Sequence, residues 1–151
     1  MSGIAGIYYL DGRPVEQAVV QRMLDCIAHR GPDGSGVWLD GSVGIAHRML
    51  WTTPESLHEK LPLVNKTGEL AITADARIDN RDELFASLNF NGRPRETIAD
   101  SELILAAYEK WGESCPERLL GDFAFAIWNG RKKKLFCARD PVGMGARQIY
   151  G

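Results

Sequence analysis

Histidine and cysteine are the side chains that could bind a metal or act as nucleophiles here, and neither type is clustered. The chain has three of each, which are His29, His47, His58, Cys26, Cys115 and Cys137. No pair of cysteines has the C-x-x-C spacing, so neither a zinc site nor a disulfide framework is indicated. We therefore predict no metal site and expect reduced, mostly buried thiols. His29 and His47 are interpreted as hydrogen-bonded framework residues.

Two short segments could bind an anion or a nucleic acid. The loop Gly31–Gly36 is rich in glycine, and its backbone N–H groups could surround an anion. It lacks the Gly-Lys-Ser/Thr ending of a phosphate-binding loop, so we interpret it as a structural turn. The basic run Arg131–Lys134 has no interleaved aromatic residues. It is therefore interpreted as a solvated loop rather than a nucleic-acid patch.

Length and composition favour one soluble domain covering residues 1–151. Eighteen basic and twenty acidic side chains give a net charge of −2, which provides no basic field for nucleic acid. No apolar run approaches the ~20 residues that cross a bilayer. The N-terminus has no basic segment followed by a long apolar one, as a signal peptide would. We predict a cytoplasmic protein without a nucleic-acid or membrane partner.

Turn residues between apolar runs predict three β-hairpins. They are Asp40-Gly41, the segment 65–68 and Asn129-Gly130. Such residues tolerate the positive φ angles that tight hairpin turns require. A further strand is predicted from Ile4 to Leu10, because this run is apolar and ends at Asp11-Gly12.

Helices are predicted between these strands. Apolar residues at helical spacing favour a helix from Val15 to His29, and Asn80 with Glu83 suggests a capped helix ending near Leu88. Asp100 opens a third helix, and Pro116–Leu120 forms a further turn. The helix that begins at Asp100 has an apolar face formed by Leu103, Ile104, Ala107 and Tyr108. Because hairpins and helices do not alternate as β-α-β units, we predict an α+β fold of antiparallel sheets with helices outside.

Seven motifs in one order carry a resemblance to a known family. They are Ser2–Ile7, His29–Gly36, Gly44–His47, Ile78–Asn80, Asp100–Glu102, Leu120–Trp128 and Ala138–Gly143. Together they resemble the N-terminal glutaminase domain of asparagine synthetases, which are class II glutamine amidotransferases. The resemblance runs from residue 2 to about residue 150.

This resemblance implies an N-terminal-nucleophile hydrolase-like αββα sandwich of two antiparallel sheets. It also implies that the chain stops before the final strands of the domain and that an ATP-dependent synthetase domain, which would bind ATP and Mg, is absent from it. No cofactor is expected in the domain itself. An exposed sheet edge would favour a homodimer, because unpaired strand edges invite pairing.

Residue 2 is the nucleophile position of the family once Met1 is removed. The family has a cysteine there, whose thiolate attacks the glutamine amide, whereas this chain has Ser2. A hydroxyl is a weak nucleophile unless a base is well placed.

The residues that match the family's glutamine pocket are also altered. Met49 occupies the position of an arginine that grips the glutamine carboxylate, and Arg48 beside it is expected to point to the opposite face of the strand. The stretch Asp75, Ala76, Arg77 replaces Asn-Gly-Glu, in which the Asn helps to form the oxyanion hole. Only Asp100, which holds the substrate α-amine in the family, is retained.

These departures lead to three functional hypotheses. The first is a degenerate glutaminase-like domain of an ATP-dependent amide-forming enzyme, because some relatives carry the nucleophilic amine in the substrate and need no ammonia. The lasso-peptide cyclases and β-lactam synthetases are such relatives, and the stretch 73–80 is most similar in style to the cyclases. The second is an active glutamine amidotransferase that supplies ammonia through residue 2. The third is a non-catalytic module that docks a synthetase domain, a twin subunit or a peptide substrate.

Overall fold

A computed structural model of the protein describes residues 2–141. The described strands are β1 (Gly3–Tyr8), β2 (Gly34–Asp40), β3 (Val43–Met49), β4 (Leu63–Val64), β5 (Leu70–Ile78), β6 (Gly121–Asn129) and β7 (Lys134–Arg139). The described α-helices are α1 (Gln17–Cys26), α2 (Arg81–Ser87) and α3 (Asp100–Trp111). Short 3₁₀ turns lie at Ala28–Arg30, Glu55–His58, Arg95–Thr97 and Gly112–Arg118.

Two antiparallel sheets form the middle of the fold. Within residues 2–141 one sheet has the order β1-β3-β2 and the other has the order β4-β5-β6-β7. The three predicted hairpins are confirmed, as β2–β3, β4–β5 and β6–β7. The central pair of the second sheet, β5 and β6, is in register along its whole length, from Leu70 opposite Asn129 to Ile78 opposite Gly121.

The side-chain alternation of the strands creates a four-layer arrangement. Val43 and Ile45 of β3 pack against Ala71 and Trp128 of the second sheet, while Ala46 faces the other way. Successive side chains of a strand point to opposite faces of the sheet, and here both faces of each sheet carry buried side chains. Helix α1 covers the first sheet through Val20 and Leu24. Helix α3 covers the second sheet through its buried apolar residues, which include Leu103, Ile104, Ala107 and Tyr108. The predicted αββα sandwich is therefore confirmed.

Helix α1 is shorter than the sequence predicted. The backbone N–H of Val15 donates to Gly41 O at 2.9 Å, so this residue is held by the β2–β3 turn and does not enter the helix. At the other end the helix tightens into the 3₁₀ turn Ala28–Arg30, in which the N–H of Arg30 donates to Ile27 O. His29 of this turn is exposed.

Helix α2 begins where predicted, but the side chain of Asn80 does not cap it. The Asn80 amide donates to Arg118 O at 2.9 Å and accepts from the N–H of Leu120 at 2.9 Å. Asn80 therefore joins the start of α2 to the segment that leads into β6.

The expectation that the thiols are mostly buried is wrong. Cys115 is buried, whereas Cys26 and Cys137 are exposed, and all three are unpaired. Cys26 ends α1 on its solvent side, and Cys137 lies in β7 at the edge of the second sheet. The prediction that the final strands are missing concerns chain outside residues 2–141 and stays a prediction.

Candidate functional site

Ser2 lies at the entrance to β1 and is 8% exposed. Since β1 pairs with β3, the start of the chain is placed beside the end of β3, with Gly3 opposite Arg48. The backbone N–H of Leu50 donates to Ser2 Oγ at 3.0 Å, and Ser2 Oγ lies 3.5 Å from Leu50 O. The Ser2 hydroxyl is thus anchored to the backbone of Leu50. Met1 lies outside the described residues.

Arg48 and Met49 point to opposite faces of β3, as predicted. Arg48 Nε donates to Leu24 O at 3.2 Å, and its Nη2 lies 3.4 Å from Asp25 Oδ1. Its charge therefore sits at the C-terminal end of α1, where a cation is favoured by the helix dipole. Met49 is 6% exposed and packs in the core beside Leu61. The position at which the resemblance predicts an arginine is consequently apolar, and the neighbouring Arg48 is engaged with helix α1.

Asp75, Ala76 and Arg77 lie in the second half of β5. Ala76 faces the α3 side with the apolar cluster, and Asp75 is partly buried on the other face. Arg77 is 62% exposed and pairs with Asp79 at 3.2 Å and with Asp122 at 3.1 Å. Its side-chain hydrogen bond to Asp79 raises the pKa of Arg77 further. The new positive charge at this position is thus shared between two surface carboxylates.

Asp100 opens α3 close to the end of β5. Its Oδ2 accepts the backbone N–H of Ile78 at 3.2 Å, and its Oδ1 accepts from Arg81 Nη1. The same guanidinium donates to Ile98 O at 2.7 Å. Burial raises the pKa of Asp100, although both of these donors favour the charged carboxylate. The retained acidic residue is therefore already paired with a cation of the chain itself.

A cavity of about 240 Å³ lies between the end of the β2–β3 hairpin and the segment 51–61. Its wall includes His47, Met49, Trp51 and Glu59. Strand β2 is in tight contact with Leu61 of the cavity wall, because a Cβ at Gly36 would lie 2.1 Å from Leu61 O.

Glu59 is an acidic residue held at this cavity. Ser101 Oγ lies 3.1 Å from Glu59 Oε2, which ties the segment 51–61 to the first turn of α3. Burial raises the pKa of Glu59 to about 7, and the nearby carboxylates of Asp100 and Glu102 act in the same direction. The pKa of Glu59 therefore lies near neutral pH, which is the range best suited to a general acid or base.

His47 is 1% exposed, and its surroundings fix its tautomer. Thr73 Oγ1 donates to Ala46 O at 3.2 Å and lies 3.1 Å from His47 Nδ1. Because the threonine proton is used on the carbonyl, Oγ1 accepts from Nδ1–H, and Nε2 carries a lone pair. Burial lowers the pKa of His47 to about 4, so the ring is neutral at neutral pH. Among residues 2–141 no group hydrogen-bonds to Nε2. His47 is thus a hydrogen-bonded framework residue, as predicted, although its Nε2 has no partner among residues 2–141, whereas His29, for which the same was predicted, is exposed.

Arg81 and Glu59 are the site residues that sequence reasoning missed. Arg81 is the first residue of α2, and a cation at a helix N-terminus is unfavourable unless a carboxylate compensates it. That position was the available signal for a paired arginine. For Glu59 the sequence has no comparable signal, because its partner Ser101 is 42 residues away.

No group of three or more potential metal ligands occurs in the described part of the chain. Among the same residues, none of the helices is both long enough and apolar enough to pass through a membrane.

The two antiparallel sheets between helical layers define an N-terminal-nucleophile hydrolase-like fold, in agreement with the sequence prediction. A solved structure of glutamine phosphoribosylpyrophosphate amidotransferase from B. subtilis, in complex with ADP and GMP, superposes with a TM-score of 0.73. The match covers 95% of this chain and 38% of that one at 18% sequence identity. At this identity the likeness establishes the fold.

The family is established by sequence. Residues 1–147 match the family model of the glutamine amidotransferase domain, and the chain belongs to that family. It is 32% identical over 130 residues to glutamine-hydrolyzing asparagine synthetase 3 of Bacillus subtilis, covering 85% of this chain and 21% of the relative. It is 35% identical over 145 residues to a putative glutamine-hydrolyzing asparagine synthetase of Mycobacterium bovis, covering 84% and 21%. The chain is a glutamine amidotransferase domain of the asparagine synthetase family and spans about a fifth of the length of these relatives.

Proposed function

We propose that this domain has lost glutamine hydrolysis and serves as the glutaminase-like domain of an ATP-dependent amide-forming enzyme. The observation that carries the proposal is the pairing of Asp100 with Arg81. In the family this carboxylate receives the substrate α-amine, and here a guanidinium of the same chain occupies it. A glutamine α-ammonium group would have to displace the Arg81 guanidinium from this partly buried ion pair, and breaking such a pair is costly.

The other positions support the same conclusion. Met49 offers no charge to a substrate carboxylate and is packed in the core. Asp75 supplies an acceptor where the family has an oxyanion-hole donor, and loss of one such donor costs ~2.7–4 kcal/mol of barrier. Ser2 Oγ has no thiolate chemistry and is held on the backbone of Leu50. Each step of glutamine hydrolysis, from binding to stabilisation of the oxyanion, thus lacks a group it requires.

The loss of glutamine hydrolysis indicates the class of reaction that the parent enzyme catalyses. An amide-forming enzyme without a glutaminase needs a substrate that already contains its nucleophilic amine, as a lasso-peptide cyclase does. ATP and Mg would be bound by a synthetase domain that partners this one, and the substrate would be a peptide. The three unpaired thiols are in keeping with a cytoplasmic location.

The decisive experiment measures glutamate and ammonia release from L-glutamine. The native chain, S2C and the combined variant S2C/M49R/D75N/A76G/R77E are compared, with circular dichroism as a check of folding. We expect no turnover by the native chain or by S2C, because the nucleophile is only one of the altered groups. Robust turnover by the native chain or by S2C would overturn the proposal and favour an active amidotransferase.

A further inference from the structure

The cavity between the β2–β3 hairpin and the segment 51–61 is lined by His47, whose buried Nε2 is an acceptor that no group among residues 2–141 satisfies. His47 Nε2 has no hydrogen-bond partner among residues 2–141, and the imidazole is 1% exposed. A buried polar atom without a partner costs free energy, so native structures rarely keep one without a reason. Since Nδ1–H is directed to Thr73, Nε2 can only accept a hydrogen bond. A ligand that contacts Nε2 must therefore be a hydrogen-bond donor.

A second acceptor, Glu59, lies in the wall of the same cavity. Ser101 already donates to it through Oγ at 3.1 Å and through its backbone N–H, and a carboxylate can accept further hydrogen bonds. The carboxylates of Asp100 and Glu102 lie near enough to act on Glu59 electrostatically. Because Asp100 is paired with Arg81 and Glu102 with Arg93, it is the ionised Glu59 itself that favours a positively charged donor over a neutral one.

The mouth of the cavity is suited to a cation as well. Trp51 is 47% exposed there, and an indole face attracts cations. Lys60, the one cation among the cavity-lining residues, is exposed. Its flexible side chain can extend into solvent, as long charged side chains usually do. Met49 forms an apolar wall and contributes no competing charge.

We propose that this cavity binds a primary ammonium group, which donates hydrogen bonds to His47 Nε2 and to the Glu59 carboxylate. An ammonium carries three N–H donors, enough for both acceptors and a third group. A volume of about 240 Å³ admits a small amine or the end of an amine-bearing side chain. This inference is independent of the proposed loss of glutaminase activity, because it concerns the charge of the ligand and not its hydrolysis.

The test uses methylammonium as the probe and acetate as a probe of similar size and opposite charge. Each is titrated at pH 8, where Glu59 is ionised, while the imidazole ¹⁵N resonances of His47 are followed by NMR. We expect methylammonium to shift the Nε2 resonance saturably and acetate to leave it unchanged. In E59Q the affinity should fall about tenfold or more, as expected for loss of a charged hydrogen bond. E69Q, which changes an exposed glutamate on the β4–β5 hairpin, should bind like the native protein.

Three outcomes would overturn the proposal. An equal response to both probes would indicate a non-specific effect, and a response to acetate alone would indicate an anion site. No response to methylammonium in the native protein would mean that water satisfies Nε2. If methylammonium then bound only to K60Q, the cavity would hold the chain's own lysine instead of a separate ligand.

Discussion

Arg81 and Asp100 form an ion pair in which the side chains are 22% and 12% exposed, and this pair joins the first residues of α2 and α3. Sequence comparison alone marks Asp100 as retained. The structure shows that its carboxylate is engaged by Arg81 and by the N–H of Ile78. In this structure Asp100 therefore serves the packing of two helices.

Replacing Arg81 by Gln should destabilise the protein markedly. The substitution leaves a partly buried carboxylate without its cation and frees the carbonyl of Ile98, and breaking such a pair costs about 3 kcal/mol. Urea unfolding measures the change in the free energy of unfolding. R77Q is the matched control, since Arg77 pairs on the exposed surface and should matter little. Equal effects of the two variants would argue against a structural role for Arg81.

Replacing Gly36 by Ala should disrupt the close contact between strand β2 and Leu61. The new Cβ would lie 2.1 Å from Leu61 O, so the segment 59–62 or strand β2 must move, at a cost of ~1–3 kcal/mol or more. G34A, two residues earlier on the same strand, places its Cβ 3.7 Å from Met49 Cβ, an ordinary contact. Thermal unfolding should separate the two variants clearly. A G36A protein as stable as G34A would show that the segment 59–62 yields easily.

Replacing Thr73 by Val should leave the buried Nδ1–H of His47 unsatisfied. We expect a loss of about 1–3 kcal/mol in the free energy of unfolding, and a change in the imidazole ¹⁵N shifts as the tautomers redistribute. T73S keeps the hydroxyl and should retain the native shifts. The hydrogen-bond assignment would be wrong if T73V preserved the Nδ1–H tautomer.

The pH dependence of stability should reveal opposing titrations of His47 and Glu59. The pKa of Glu59 rises from 4.5 to about 7 on folding, so the folded state retains a proton that the unfolded state loses, and this contribution to stability decreases as the pH rises between these values. The pKa of His47 falls from 6.5 to about 4, so its contribution increases with pH over 4–6.5.

In the variant E59Q, the pH dependence of stability should show the contribution of His47 without that of Glu59. Between pH 4.5 and 7 its free energy of unfolding should gain on the native protein by about 1.4 kcal/mol per pH unit, or about 3 kcal/mol in all. Urea unfolding at half-unit pH intervals checks this, with E69Q as the control. A constant difference between E59Q and the native protein would show that Glu59 titrates normally.

Most of the fold could be predicted because its signals are local. Turn residues such as Asn129-Gly130 predicted the hairpins, and the spacing of apolar residues predicted α3. The αββα layering followed from the resemblance. The start of α1 was misjudged because the backbone of Val15 pairs with the turn at Gly41, a contact that residue spacing does not encode.

The candidate site was only partly predictable. Alternation along β3 correctly separated Arg48 from Met49, since strand periodicity is a local property. The interactions that decide the chemistry, Arg81 with Asp100 and Glu59 with Ser101, join residues 19 and 42 positions apart. Such pairings depend on how the helices and the segment 51–61 pack against the sheets. Sequence motifs carry no information about this packing.

The hydrogen bonds of Thr73 also bear on how the two sheets are aligned. Sheets that meet through Val43, Ile45 and Ala71 alone could slide against each other at little cost, because methyl groups have no preferred direction. Thr73 on β5 contacts the ring of His47 and the carbonyl of Ala46 on β3, and these directional bonds oppose such shear. The hydrogen bonds of Thr73 therefore hold β5 of one sheet in a fixed position relative to β3 of the other.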